Sequence, residues 1–213
     1  MLDYQKDFIQ HALNCGVLKF GEFKLKSGRI SPYFFNTGLF NTGSQLAKLG
    51  QFYARALIQS DLNPDILFGP AYKGIPLVSA TSIAYAEIKQ TDIPFAFNRK
   101  EPKDHGEGGN LVGSPLRGNV LILDDVISAG TSVSDSVEII KNSGATPYGV
   151  LIALDRQEQG RNKVSAIQEV NQQFNIPVIS IITLQNIIEY LKNSKHALNN
   201  LDAIKKYHSQ YGI

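Results

Sequence analysis

Cysteine is nearly absent: Cys15 stands alone among 213 residues. One thiol permits no intrachain disulfide, and no Cys/His spacing in the chain forms a zinc site. Cys15 itself, next to Gly16 at the end of an apolar-periodic segment, reads as a packing residue. The opening MLDYQKDFIQ has neither a basic leader nor an apolar core of the kind that directs secretion, and no apolar run approaches membrane length. The expectation is a soluble, cytoplasmic protein with no membrane partner. Net charge is only +2, too little to imply nucleic-acid binding from charge alone. No internal repeat or low-complexity tract occurs, and no G-x-x-x-x-G-K-[ST] loop exists, which argues against a nucleoside triphosphatase. What remains, 43% hydrophobic against 19% charged residues, describes a globular chain long enough to bury a proper core.

The most informative stretch is VLILDDVISAGTS, Val120 to Ser132. Four consecutive apolar residues, Val120 to Leu123, suit a strand buried on both faces of a parallel sheet. Asp124 and Asp125 follow at its carboxyl end. Ser128, Ala129, Gly130, Thr131 and Ser132 then lead into a helical pattern carried by Val133, Val137, Ile139 and Ile140. A strand, a turn of small residues and a helix start expose backbone N–H groups at the positive end of a helix dipole, where a phosphate fits. Carboxylates would repel that phosphate. The aspartates therefore face something else, such as sugar hydroxyls or a divalent cation, and a phosphorylated sugar satisfies both halves. The competing reading is that the acids are helix caps or solvated charges.

Elsewhere the pattern alternates. Helices are expected over Leu2–Leu13 and from Asn41 to Ser60, with a last surface helix over Asn199–Tyr211. LKFGEFKLKSGRISPYFFNTG, with Ser27-Gly28 at its centre, predicts two short strands forming a small cap. Strands are expected at 66–68, 95–98, 120–123, 148–154 and 177–182, separated by helical stretches, which is the mark of parallel α/β units. Ligands of such sheets bind beyond the carboxyl ends of the strands, so each exit matters. The first is GPAYKGIP with Tyr72 and Lys73, which alone reads as an ordinary strand-to-helix turn. The second is a long basic, glycine-rich loop with Arg99, Lys100, Lys103 and His105, of a length that is usually functional or disordered. The last carries Asp155-Arg156. His11, His196 and His208 lie in helical patterns and read as surface or cap residues.

These residues carry a resemblance. VLILDDVISAGTS resembles the phosphoribosyl-diphosphate signature of the type I phosphoribosyltransferases. FGEFKLKSGRISPYFFNTG, FGPAYKGIPL, NRKEPKDHGEGGNLVG and ALDRQEQG together resemble the orotate phosphoribosyltransferase family over nearly the whole length. The resemblance implies an α/β type I phosphoribosyltransferase fold, with a central, mainly parallel five-stranded sheet flanked by helices. One domain would span residues 1–213, with 1–40 forming a cap, or hood, over the base site. It also implies conversion of orotate and 5-phosphoribosyl 1-diphosphate to orotidine 5'-phosphate and diphosphate, with Mg2+, in pyrimidine (UMP) biosynthesis.

By the same resemblance, Ser128–Ser132 hold the 5'-phosphate, Asp124 and Asp125 face the ribose, and Val126 and Ile127 complete that loop. Tyr72, Lys73, Arg99, Lys100, Lys103 and His105 match diphosphate-binding positions, and Lys103, Asp124 and Asp125 match the catalytic ones. Lys26 matches a ligand-contacting position shared by both substrates. Phe34, Phe35, Ser128 and Arg156 match the orotate site; without the resemblance, Phe34-Phe35 would read as core packing. Ser128 stands where threonine is expected, with its hydroxyl retained. Mg2+ would be held by substrate oxygens rather than by protein ligands. The family's loop, here 99–114, implies a homodimer in which it serves the neighbouring site. A phosphoribosyl-diphosphate sensor binding nucleic acid is the rival from another class, and the complete basic loop argues against it. A purine transferase is the rival enzyme, disfavoured by the Phe34-Phe35 cap and Arg156.

Overall fold

A computed structural model describes every residue except 26, 104–108, 128–130, 161–162 and 194–197. The expected sheet is present. β3 (Ile66–Gly69), β4 (Phe95–Lys103), β6 (Asn119–Leu123), β7 (Thr146–Asp155) and β8 (Val178–Thr183) run parallel in the order β4-β3-β6-β7-β8. The long runs of apolar residues arise because both faces of this sheet are covered. Leu67, Leu121, Leu123, Leu151 and Ala153 point into one cluster with Tyr53, Leu57, Leu77 and Val78. Their neighbours Phe68, Val120, Ile122, Val150 and Ile152 point into a second with Val133, Val137, Ile140 and Val170. Successive strand side chains alternate in direction, so two cores require continuous hydrophobicity.

The first cluster lies beneath α1 (Asp3–Asn14), α2 (Gly43–Gln59), α3 (Gly74–Lys89) and α6 (Leu184–Lys192), and the second beneath α4 (Thr131–Asn142) and α5 (Ala166–Phe174). The two short strands expected near the N-terminus form an antiparallel hairpin of β1 (Leu18–Lys24) and β2 (Ile30–Phe35), followed by the 3-10 turn η1 (Thr37–Leu39). His11 is not simply a surface residue: its ring stacks on Phe40 with centroids 5.2 Å apart.

Two expectations are corrected. The long basic segment is not an irregular loop over its described length. β4 continues to Lys103 and pairs antiparallel with β5 (Gly109–Gly113), adding a sixth, edge strand to the sheet. Backbone pairing, rather than side-chain pattern, makes these residues strands. The last helix, α7 (Leu198–Tyr211), is also more than a surface element. Leu201, Ile204 and Tyr207 recur at helical spacing and are each at most 5% exposed, a buried stripe of the kind that docks a helix.

Close approach fixes the turn after β3. A Cβ added to Gly69 would lie 2.1 Å from the Gly74 carbonyl oxygen and 2.8 Å from Val78 Cβ. Gly69→Ala should therefore destabilise the protein by about 2 kcal/mol or more. Gly43→Ala, where an added Cβ meets nothing within 4 Å, should cost nothing. Urea midpoints of the two variants check this, and equal midpoints would refute the packing argument.

Candidate active site

The exits of β3, β6 and β7 lie side by side because the strands are hydrogen-bonded neighbours or next neighbours. β6 ends in Asp124 and Asp125, 8% and 7% exposed, and the backbone here is fixed before any side chain acts. Asp124 N donates to Leu151 O at 3.1 Å and Ala153 N donates to Asp125 O at 2.9 Å. From α2, the buried Tyr53 hydroxyl donates to Asp124 O at 2.8 Å. The two carboxylates consequently have settled and different directions.

Asp125 joins three elements. Its Oδ2 accepts from Lys73 Nζ at 2.6 Å and from Thr37 Oγ1 at 2.9 Å, and its Oδ1 accepts from Val126 N at 2.9 Å. Thus the β6 exit meets the turn before α3 and the 3-10 segment of the hood. Lys73 keeps 58% of its side chain exposed, so the ammonium both neutralises the acid and faces the open rim. Beside it Lys100 Nζ lies 5.0 Å from the centre of the Tyr72 ring, itself 66% exposed.

Asp124 turns inward instead. Its Oδ2 accepts from Ser132 Oγ at 2.8 Å and its Oδ1 from Asp125 N at 2.8 Å. These contacts tie the strand end to the first turn of α4. The donor from α4 is the Ser132 hydroxyl, a side-chain contact and not a helix cap. Burial is the main reason that the Asp124 carboxyl is pushed up to about 6, against the lowering effect of its hydrogen bonds to Ser132 and Asp125. Val126 and Ile127 pack against the two cores, one on each.

At the β7 exit, Arg156 lies against the hood. Its Nη2 donates to Ser31 Oγ at 3.2 Å, its guanidinium carbon sits 4.2 Å from the Tyr33 ring centre, and Glu158 Oε1 accepts from its Nε at 2.9 Å. Ser31 and Tyr33 occupy one face of β2. Phe34 lies on the other, 36% exposed and stacked on Phe23 with centroids 5.4 Å apart. Phe35 packs edge-on against Phe8 at 6.3 Å. The two phenylalanines therefore differ: Phe35, partly buried, packs against the core, and Phe34 is the more open of the two.

Lys26, His105, Ser128, Ala129 and Gly130 lie outside the described residues, as do the side chains of Lys103 and Thr131. Arg99 lies in β4 two residues before Glu101. Sequence reading missed Thr37, Tyr53, Ser31, Tyr33 and Glu158. Only Glu158, two residues beyond Arg156, carried a local signal.

The raised Asp124 carboxyl has a stability consequence with a definite sign. Its folded pKa lies above the ordinary carboxylate value, so between about pH 4 and 6 the folded state binds the extra proton and stability falls as pH rises. Asp124→Asn should flatten that decline by on the order of 2 kcal/mol while lowering turnover. Denaturation midpoints from pH 4 to 7 check it. A parallel decline in both proteins would refute the raised carboxyl at this position.

The Phosphoribosyl transferase domain model matches residues 40–180. Orotate phosphoribosyltransferase of Pseudomonas syringae pv. tomato is 60% identical over 213 residues, covering 100% of both chains. That of Cronobacter sakazakii is 59% identical with the same coverage. The crystal structure of orotate phosphoribosyltransferase from Francisella tularensis superimposes with a TM-score of 0.88 at 47% identity, covering 97% of this chain and 100% of the other. End-to-end identity at this level, on a sheet whose rim brings Lys73 to Asp125, means that the chain belongs to the orotate phosphoribosyltransferase family of phosphoribosyltransferases.

Proposed function

We propose that this protein transfers the 5-phosphoribosyl group of 5-phosphoribosyl 1-diphosphate to orotate, giving orotidine 5'-phosphate and diphosphate in pyrimidine biosynthesis. The observation that carries the reading is the Lys73–Asp125 contact of 2.6 Å. It sets an acid suited to ribose hydroxyls against a cation suited to diphosphate. In the donor substrate those two parts meet at the anomeric carbon, the reacting atom.

In the reaction the anomeric C–O bond breaks as a bond to the orotate nitrogen forms. Positive charge develops on the ribose while negative charge collects on the leaving diphosphate. Positioning and electrostatic stabilisation suffice, and no side-chain nucleophile is needed. Asp125 holds the ribose hydroxyls and lies close to the developing positive charge. Asp124 keeps the loop after β6 in place. Residues 128–132 receive the 5'-phosphate at the start of α4, with Val126 and Ile127 anchoring the loop on both cores. Lys73, with Tyr72, Arg99, Lys100, Lys103 and His105, receives the diphosphate, and Lys103 assists its departure.

Orotate is flat and carries a carboxylate. Phe34 supplies the exposed ring, Phe35 fixes the strand that carries it, and Arg156 pairs with the carboxylate. Lys26 contacts ligand from the hairpin turn, and Ser128 borders both substrates. Because Phe34 and Arg156 belong to opposite faces of β2, a base touching both lies at the free edge of the hairpin.

The acids fit Mg2+ only in a supporting role. Each already accepts two or more hydrogen bonds. Among the described residues no cluster of three His, Cys, Asp or Glu is placed to hold a metal. The ion would be held mainly by substrate oxygens and water, with Asp124 and Asp125 nearby, and it would supply charge neutralisation on diphosphate. The chain works as one unit, with 1–40 as the hood. No helix among the described residues is long and apolar enough to cross a membrane. Incubation with 5-phosphoribosyl 1-diphosphate, Mg2+ and single bases should release diphosphate with orotate and not with purines. Release with adenine, guanine or hypoxanthine instead would overturn the assignment.

The functional form is a homodimer in which segment 99–114 reaches the neighbouring site. Suppose Lys103→Ala and Asp125→Asn are each nearly inactive alone. In a two-fold dimer with crossing segments, a mixed dimer has one doubly damaged site and one intact site, so full exchange should restore roughly a quarter of all sites. Native mass spectrometry verifies exchange. Verified exchange with no recovered activity would place each segment over its own subunit's site.

A further inference from the structure

The base end of the site is braced from the far end of the chain. Glu158 Oε1 accepts from Arg156 Nε at 2.9 Å, lies 2.7 Å from Arg156 Nη2, and accepts from the Tyr33 hydroxyl at 3.0 Å. Its Oε2 accepts from the Tyr207 hydroxyl at 3.1 Å, with Arg29 Nη1 4.0 Å away. Tyr207 belongs to α7. The chain around Glu158 is tied to the same terminus, because Gln159 N donates to Tyr211 O at 2.8 Å and Ile213 N to Gln157 O at 3.2 Å.

A carboxylate against Arg156 could act in two ways. It could compete with a substrate carboxylate for the guanidinium, or it could aim the guanidinium. Three observations favour aiming. Glu158 takes the Nε–Nη2 edge, so the Nη1 end of the planar group points away from it. The plane is fixed from below by Tyr33 and from the side by Ser31, whose own hydroxyl donates to Tyr33 O at 2.7 Å and so accepts from Arg156. Finally, Arg29 and Arg156 outnumber Glu158, leaving the cluster one positive charge for an incoming anion. A guanidinium already held on an edge and a face loses less freedom when it binds.

We propose that Glu158 is a positioning residue that orients Arg156 toward the carboxylate of the substrate base, and that Tyr207 makes the C-terminal helix part of this device. The proposal rests on the assignment of Arg156 to orotate made above. Neither Glu158 nor Tyr207 needs to touch the substrate.

Steady-state kinetics of wild type, Arg156→Ala, Glu158→Gln, Tyr207→Phe and the two double variants with Arg156→Ala test it, varying each substrate at saturating levels of the other. Glu158→Gln should raise KM for orotate about tenfold and Tyr207→Phe about threefold, with KM for 5-phosphoribosyl 1-diphosphate changed by less than about twofold. In the Arg156→Ala background neither substitution should raise KM for orotate further. An equal rise with and without Arg156 would make Glu158 merely structural, and a fall in KM for orotate would make it a competitor; either overturns the proposal. If Glu158→Gln does not fold, Tyr207→Phe, which loses one hydroxyl, carries the same comparison. Wild type that does not turn over orotate refutes the functional reading itself. Wild type that does, with Arg156→Ala unimpaired toward orotate, refutes the Arg156 assignment and Glu158's role together.

Discussion

The contact between Lys73 and Asp125 is the constraint around which the rim of the sheet is assembled. An acid with only 11% of its side chain exposed is costly unless it is paired and hydrogen-bonded. Lys73 and Thr37 supply what Asp125 needs, and in doing so they draw the β3 exit and the hood to the β6 exit. An exposed ion pair contributes little to stability. Here one partner is buried and the other open, so the gain is positional: a negative and a positive group from two strand exits are held as neighbours at the rim.

Adjacent residues at the end of one strand have taken opposite duties. Asp125 faces the rim, while Asp124 faces inward to Ser132 and the backbone of its neighbour. The alternation that sends strand side chains to two cores continues one step past the strand. Tyr53, 0% exposed and donating to the Asp124 carbonyl, keeps that step from relaxing. The raised carboxyl of Asp124 and the firm pairing of Asp125 are two results of the same arrangement.

Much of this was legible in the chain. Strands at 66–68, 95–98, 120–123, 148–154 and 177–182 could be read because double burial demands unbroken apolar runs, and each lies within a residue or a few of an observed strand. β5 could not be read, because GNLVG is glycine-rich and held by pairing with β4. The split between Phe34 and Phe35 follows from strand alternation and could have been drawn from the pair alone. The buried face of α7 was likewise present in the spacing of Leu201, Ile204 and Tyr207. By contrast, Ser31 and Tyr33 meet Arg156 and Glu158 across 125 residues, and no local pattern announces a contact of that range.

The charges along the rim are unevenly distributed between neighbouring strand exits. At the β6–β3 corner, Lys73 and Asp125 pair and cancel. At the β7–hood corner, two arginines face one glutamate, and the surplus favours an anion. The two neighbouring strand exits therefore differ in electrostatic character before any ligand is present, and the hydrogen bonds behind each exit keep that asymmetry fixed.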